Sequence, residues 1–172
     1  MGLAFKNTGD HIFILGNVFV DCINSSEYLY SYHGIKNTPA PSFNLDQEYL
    51  LHQLVKDLIR GGAIQSAHDV SDGGLICNLL ESGFVHHKGF DINKTMDGRK
   101  DAFLFGEAQG RVVVSVAPDK VSLFTDIVKK HTIFAESLGV VTNGEVKVDT
   151  ENWGNITEFE TRYNTSIEEK LN

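Results

Sequence analysis

The chain has 172 residues, a length within the usual one-domain range and large enough to bury one ordinary hydrophobic core. With 41% apolar and 22% charged residues, it has the composition of neither a disordered nor a fibrous chain. Fifteen basic against twenty-three acidic residues give a net charge of −8, which repels the phosphate backbone on which nucleic-acid affinity rests, although a local basic patch can still hold one small phosphate.

Residues 1–10 are polar, and the apolar run His11-Ile-Phe-Ile-Leu-Gly16 that follows them predicts a buried strand ended by a breaker. Residues 37–42 must connect elements, because Pro39 and Pro41 lack an amide donor and bias their predecessors away from helix. From Asn44, a plausible N-cap, the apolar positions Leu45, Tyr49, Leu50, Leu54, Leu58 and Ile59 recur at three- and four-residue spacing up to Gly61-Gly62, which predicts a helix. Residues 63–68 read as a short strand. Gly73-Gly74 then opens a second helix through about Val85, with Leu75, Leu79 and Leu80 on one face.

The β-branched run of residues 111–117 predicts a strand, followed by a helix over residues 119–130. Short strands at 138–141 and 145–148 flank Thr142-Asn-Gly144, whose Asn-Gly pair suits a tight hairpin. Residues 156–171 predict a terminal helix. This interleaving defines a mixed α/β or α+β domain in which Leu50, Leu54, Leu58, Leu75, Leu79, Val112 and Val114, with Val113, should be buried. No apolar run approaches the roughly 20 residues that cross a bilayer, and no signal-peptide pattern opens the chain. Cys22 and Cys77 are far apart and outside any Cys-x-x-Cys pattern, so neither a disulfide nor a zinc site is indicated. The expectation is a cytoplasmic protein with no membrane and no nucleic-acid partner.

Two polar segments carry the possible chemistry. Residues 66–75, Ser-Ala-His-Asp-Val-Ser-Asp-Gly-Gly-Leu, place Asp69, Ser71 and Asp72 on a turn before a helix, where Gly73 and Gly74 permit close backbone approach and the free amides of the first turn suit phosphate. The same residues also read structurally, with Ser71 or Asp72 capping the helix. His68 is adjacent to Asp69, and strand neighbours point to opposite faces, so His68 is expected to be a satisfied structural residue and not half of a dyad. In residues 103–111, Glu107, Gln109 and Arg111 would share a face if extended, and their donors and acceptors suit a polar small molecule. A structural Glu107–Arg111 pair closing the sheet is the alternative. His86-His87 reads as a helix terminus, and residues 24–28 as a binding loop or a capping sequence. No Walker loop, nucleophile elbow or complete triad is present.

Together, residues 66–75 and 104–116 (Leu-Phe-Gly-Glu-Ala-Gln-Gly-Arg-Val-Val-Val-Ser-Val) resemble the C-terminal half of the phosphoribosylformylglycinamidine synthase family. Residues 9–16 and Ser26-Glu27-Tyr28 resemble its upstream strand and serine-glutamate-tyrosine segment, so the likeness spans about residues 9–150. It implies one C-terminal domain of the AIR synthase-related superfamily over residues 1–172, a mixed sheet with packed helices, a core at about 9–150 and a C-terminal helix at about 156–171. It implies that the N-terminal ATP-binding domain is absent. The implied reaction is ATP-dependent amidation of formylglycinamide ribonucleotide with glutamine-derived ammonia, using ATP and Mg2+.

The implied partners are the N-terminal domain, a glutaminase domain or subunit, the ribonucleotide substrate and, for an isolated chain, a homodimer. By the same resemblance Asp69, Glu107, Gln109 and Arg111 are analogous to binding residues, with Asp69 as a metal ligand, and no residue of this chain is assigned catalysis. The family's usual glycine-glycine before Ser26 stands here as Asn24-Ser25. Other readings are the C-terminal domain of AIR synthetase, selenophosphate synthetase or the hydrogenase-maturation dehydratase, against which residues 105–109 argue, or a non-catalytic nucleotide-binding or regulatory module.

Overall fold

The computed structural model describes residues 1–16, 22–93 and 98–171. Strands β1 (His11–Gly16), β2 (Ser66–Asp69), β3 (Gly89–Ile92), β4 (Arg111–Val116), β5 (Ala135–Thr142), β6 (Glu145–Val148) and β7 (Glu151–Asn155) form one seven-stranded sheet in the order β2-β4-β1-β5-β3-β6-β7. The sheet is mixed: β3 pairs parallel with β6, and the other pairs are antiparallel. Helices α1 (Leu45–Arg60), α2 (Gly74–Phe84), α3 (Lys100–Phe105), α4 (Val121–Val128) and α5 (Ile156–Leu171) pack on it. No helix among the described residues is long and apolar enough to cross a membrane.

Both faces of the sheet are covered, and the alternation of side chains along each strand divides the core in two. Ile12, Ile14 and Val113 join Leu75, Ile76 and Leu79 of α2, Phe103 and Leu104 of α3 and Ile156 of α5 on one face. Leu15, Val114 and Val116 join Leu51, Leu54 and Leu58 of α1 and Phe124 of α4 on the other. Each fully buried leucine of these rows contributes about 2 kcal/mol of transfer free energy.

Helix α1 begins where expected. The Asn44 side chain accepts the Gln47 amide at 3.0 Å, and Asp46 and Glu48 occupy the positive end of the dipole. Its buried row is Leu51, Leu54 and Leu58, whereas Leu50 is half-buried and Leu45, Tyr49 and Ile59 are exposed. The expectation for Leu50 is corrected by one residue, because the sheet meets the face one position further on. Val112 is also only half-buried, since it borders an open cleft, while Val113 is buried.

The hairpin expected at Thr142-Asn-Gly144 does not form. β3 lies between β5 and β6, so the turn steps over one strand instead of joining neighbours. Gly89 makes this possible, because a Cβ there would lie 1.9 Å from the Glu145 carbonyl oxygen. Strands β3 and β7 and helix α3 are elements that local sequence patterns did not predict.

Candidate functional site

The site lies where β2 ends and β4 begins, beside the start of α2. Asn78 of α2 reaches back to the strand, its Nδ2 donating to the carbonyls of His68 at 3.2 Å and Asp69 at 2.7 Å. The Val70 amide donates to the Arg111 carbonyl at 2.9 Å and extends the pairing of β2 with β4. These bonds fix the backbone of Asp69 and leave its side chain exposed.

Gly73 (φ 79°) and Gly74 (φ 72°) then turn the chain into α2 in the left-handed conformation that glycine adopts at little cost. Neither Ser71 nor Asp72 caps the helix through its side chain. The Gly73 amide donates to Glu107 Oε1 at 2.8 Å, and the Gly74 amide to the Ser71 carbonyl at 3.0 Å. The expected capping role of Asp72 or Ser71 is therefore replaced by a carboxylate from a distant loop.

Residues 106–110 are a loop, not part of an extended strand, and β4 begins at Arg111. Arg111 is buried and holds the loop from inside, donating from Nε to the Ala108 carbonyl at 3.0 Å and from Nη2 to the Gly106 carbonyl. Burial pushes its guanidinium down to about 10, opposed by the charges of Cys22 and Glu107, so it remains a cation at neutral pH. The alternative of a Glu107–Arg111 pair gives way to a different arrangement: Glu107 Oε1 accepts the Gly73 and Glu27 amides, at 2.8 and 2.9 Å.

Asp69, Ser71, Asp72, Glu107, Gln109 and Arg111 all line one cleft of about 550 Å3, bordered by Glu48 and His52 of α1. Gly73 and Gly74 are not among the residues that line it. Glu107 and Gln109 meet the cleft from the loop, and Arg111 from the first position of β4. A smaller hollow of about 250 Å3 shares Glu48 and Gln109 with it. Glu48 and His52 were not singled out from the sequence, where they read only as the polar side of α1. The lining carries four carboxylates, Glu48, Asp69, Asp72 and Glu107, against one buried guanidinium, so it suits a ligand rich in hydroxyl or amine donors.

His68 faces away from Asp69, as strand alternation requires. Its Nδ1 lies 3.0 Å from Ser82 Oγ and its Nε2 3.6 Å from Glu81, which gives it a structural role on α2. His87 pairs with Glu160 of α5 at 3.0 Å. In the segment before α1, Ser25 adopts φ 56°, in the left-handed region that favours glycine, and its amide donates to Thr38 Oγ1 at 2.7 Å. Tyr28 stacks on Phe105 with centroids 4.6 Å apart.

Cys77 lies half-buried on α2. Burial, then the charges of Glu81 and Glu107, push its thiol above the ordinary range. Because only the thiolate is nucleophilic, iodoacetamide is expected to alkylate Cys77 at pH 8 more slowly than a free cysteine, with the rate rising only at pH above the ordinary thiol range. Mass spectrometry of the alkylated chain reads this directly, and labelling of Cys77 as fast as free cysteine would contradict the buried assignment.

A mixed sheet covered by helices on both faces, with a polar cleft beside a glycine-opened helix, defines a mixed α/β domain. The family model of the AIR synthase related protein, C-terminal domain, matches residues 7–150, and the chain belongs to that family.

Among curated relatives, the phosphoribosylformylglycinamidine synthase subunit PurL of Salinibacter ruber is 40% identical over 151 residues, which cover 84% of this chain and 20% of that protein. PurL of Caldanaerobacter subterraneus subsp. tengcongensis is 37% identical over 147 residues, covering 86% and 20%. The chain thus spans about one fifth of the length of these relatives. In fold it is similar to T. maritima PurL complexed with FGAR, with a TM-score of 0.77 and 18% identity over 92% of this chain and 29% of that one. It is also similar to hydrogenase maturation protein HypE in complex with ATP, with a TM-score of 0.58 and 15% identity over 90% and 52%.

Proposed function

We propose that this chain acts as the C-terminal domain of a phosphoribosylformylglycinamidine synthase, an ATP-dependent ligase that amidates formylglycinamide ribonucleotide with glutamine-derived ammonia in purine biosynthesis. The observation that carries the reading is the 40% identity to the S. ruber subunit over 84% of the chain. T. maritima PurL, which shares the fold, was obtained with FGAR and with ATP, and the ligands proposed for the complete protein are the same two.

In this reading Asp69, Ser71, Asp72 and Gln109 offer polar contacts in the cleft, and the Arg111 charge lines it beside them. The backbone of Gly73 and Gly74 shapes the turn. Among the described residues no three His, Cys, Asp or Glu side chains are grouped to hold a metal ion. Asp69 is therefore not part of such a group among the described residues, and no step is assigned to magnesium here. The remaining groups come from the partners: an N-terminal ATP-binding domain, a glutaminase domain or subunit and, for the isolated chain, a second copy. Phe43, Leu45 and Tyr49 are exposed at the start of α1, next to the smaller hollow, and supply apolar surface for the N-terminal domain.

Chemistry requires the reacting groups to be positioned together, so the purified chain is expected to form no amidine from formylglycinamide ribonucleotide, ATP, Mg2+ and ammonia. Mixed with the remainder of the S. ruber subunit, it is expected to restore turnover. A purified complex of the two that stays silent, while the intact S. ruber enzyme turns over in parallel, would sink the assignment. So would turnover by the isolated chain that survives removal of contaminating synthase and disappears on Asp69→Asn, because catalysis would then not need the partner domains proposed above.

A further inference from the structure

We infer that Glu107 is a resident anion at the N-terminus of α2, and that by filling this position it assembles the cleft and keeps ligand phosphate off the Gly73 amide. The free amides at the start of a helix, together with its dipole, form an anion site. Here the site is occupied from within the chain. Glu107 Oε1 accepts the Gly73 amide at 2.8 Å and the Glu27 amide at 2.9 Å. One carboxylate oxygen thus joins segments 34 and 80 residues away from it in sequence.

The surroundings bring that oxygen into place. Gly74 has no side chain where the backbone of Leu104, Phe105 and Gly106 passes, which lets the end of α3 approach the helix start. Arg111 fixes the carbonyls of Gly106 and Ala108 on either side of Glu107. Tyr28, next to Glu27, stacks on Phe105. The carboxylate therefore sits at the meeting point of three segments that line or support the cleft, as a positioning residue and not a ligand contact. A phosphate placed on the Gly73 amide would have to displace it and would meet its charge. Ligand contacts then fall to the side chains of Asp69, Ser71, Asp72 and Gln109. The inference rests on hydrogen bonds within this chain and holds whichever ligand the cleft takes.

Amide exchange measured by NMR on the 172-residue chain tests it. In the native chain the Glu27 and Gly73 amides are expected to exchange about tenfold or more slowly than that of Asp72, since each is held by a charge-assisted hydrogen bond. E107A is expected to lose that protection at both amides while Val113 and Val114 keep theirs. E107Q retains an acceptor oxygen and is expected to preserve most of it. Added inorganic phosphate is expected to leave the Gly73 resonance of the native chain unmoved. Unprotected Glu27 and Gly73 amides in the native chain would overturn the inference, as would equal protection in E107A. A saturable shift of the Gly73 resonance with phosphate would also overturn it. If E107A does not fold, the native exchange pattern and the phosphate titration still decide.

Discussion

Gly74→Ala is expected to lower the unfolding free energy of the chain by about 3 kcal/mol, through two separable costs. The first is conformational: at φ 72° an L-residue is in the left-handed region, which costs roughly 1–2 kcal/mol. The second is steric. The added Cβ would lie 2.7 Å from the Phe105 carbonyl carbon and 2.8 Å from the carbonyl oxygens of Gly106 and Leu104. All three are backbone atoms and cannot rotate away, so the end of α3 must shift, at an overpacking cost of about 1–3 kcal/mol.

Gly62→Ala separates the terms, because Gly62 has φ 62° and nothing within 4 Å of its added Cβ. It is expected to show the conformational cost alone. Gly73→Ala should also cost more than Gly62→Ala, since its added Cβ would meet Cys77 Sγ at 2.4 Å, which can rotate away, and Cys77 Cβ at 2.8 Å, which is fixed to α2. Urea denaturation at a constant slope reads all three as shifts in midpoint. If Gly74→Ala costs no more than Gly62→Ala, the close approach of α3 to the helix start is wrong, and with it the route that brings Glu107 to Gly73.

What the sequence disclosed follows the range of the interactions involved. Helix α1 was legible because its cap, its leucine spacing and its Gly-Gly stop all lie within one continuous segment, residues 44–62. Yet Leu50 and Leu51 are both apolar, so which of them enters the core was decided by the sheet beneath. β4 was legible as a β-branched run. The same run could not reveal that it pairs with both β1 and β2, because pairing partners leave no local mark.

The Asn-Gly turn after β5 was read correctly as a turn and wrongly as a hairpin. A turn signal does not say whether a third strand lies between its arms, and Gly89, which admits that crossing, looks like a breaker in sequence. The α3 segment was obscured by the polar residues after it: alternation of Glu107, Gln109 and Arg111 suggested an extended chain, whereas Arg111 turns inward to hold a loop. The convergence of the two polar segments on one cleft was anticipated from a family likeness. The two amides bound by Glu107 lie 34 and 80 residues away in sequence, too far for any periodicity to report.

Arg111→Met is the second substitution expected to have a large effect, a loss of about 3 kcal/mol in stability with little change in buried volume. The Arg111 side chain is only 4% exposed as a residue, and its Nε and Nη2 satisfy the carbonyls of Ala108 and Gly106. Methionine fills much of the same space but donates nothing, leaving two inward carbonyls without their donor at about 1–3 kcal/mol each. Part of that loss is returned, because burying the guanidinium carries a desolvation cost, seen in its depression to about 10.

Lysine is expected to recover little. One compact, strongly hydrated ammonium does not reproduce two donors held in a fixed fork, so Arg111→Lys should be nearly as unstable as Arg111→Met. Denaturation midpoints give the stability, and amide exchange over residues 106–110 shows whether the loss is concentrated in the loop. A methionine variant as stable as the native chain, with that loop still protected, would mean that α3 packing and Glu107 hold the loop unaided. The buried charge of Arg111 would then have to be explained by the ligand of the cleft it borders, and not by the fold.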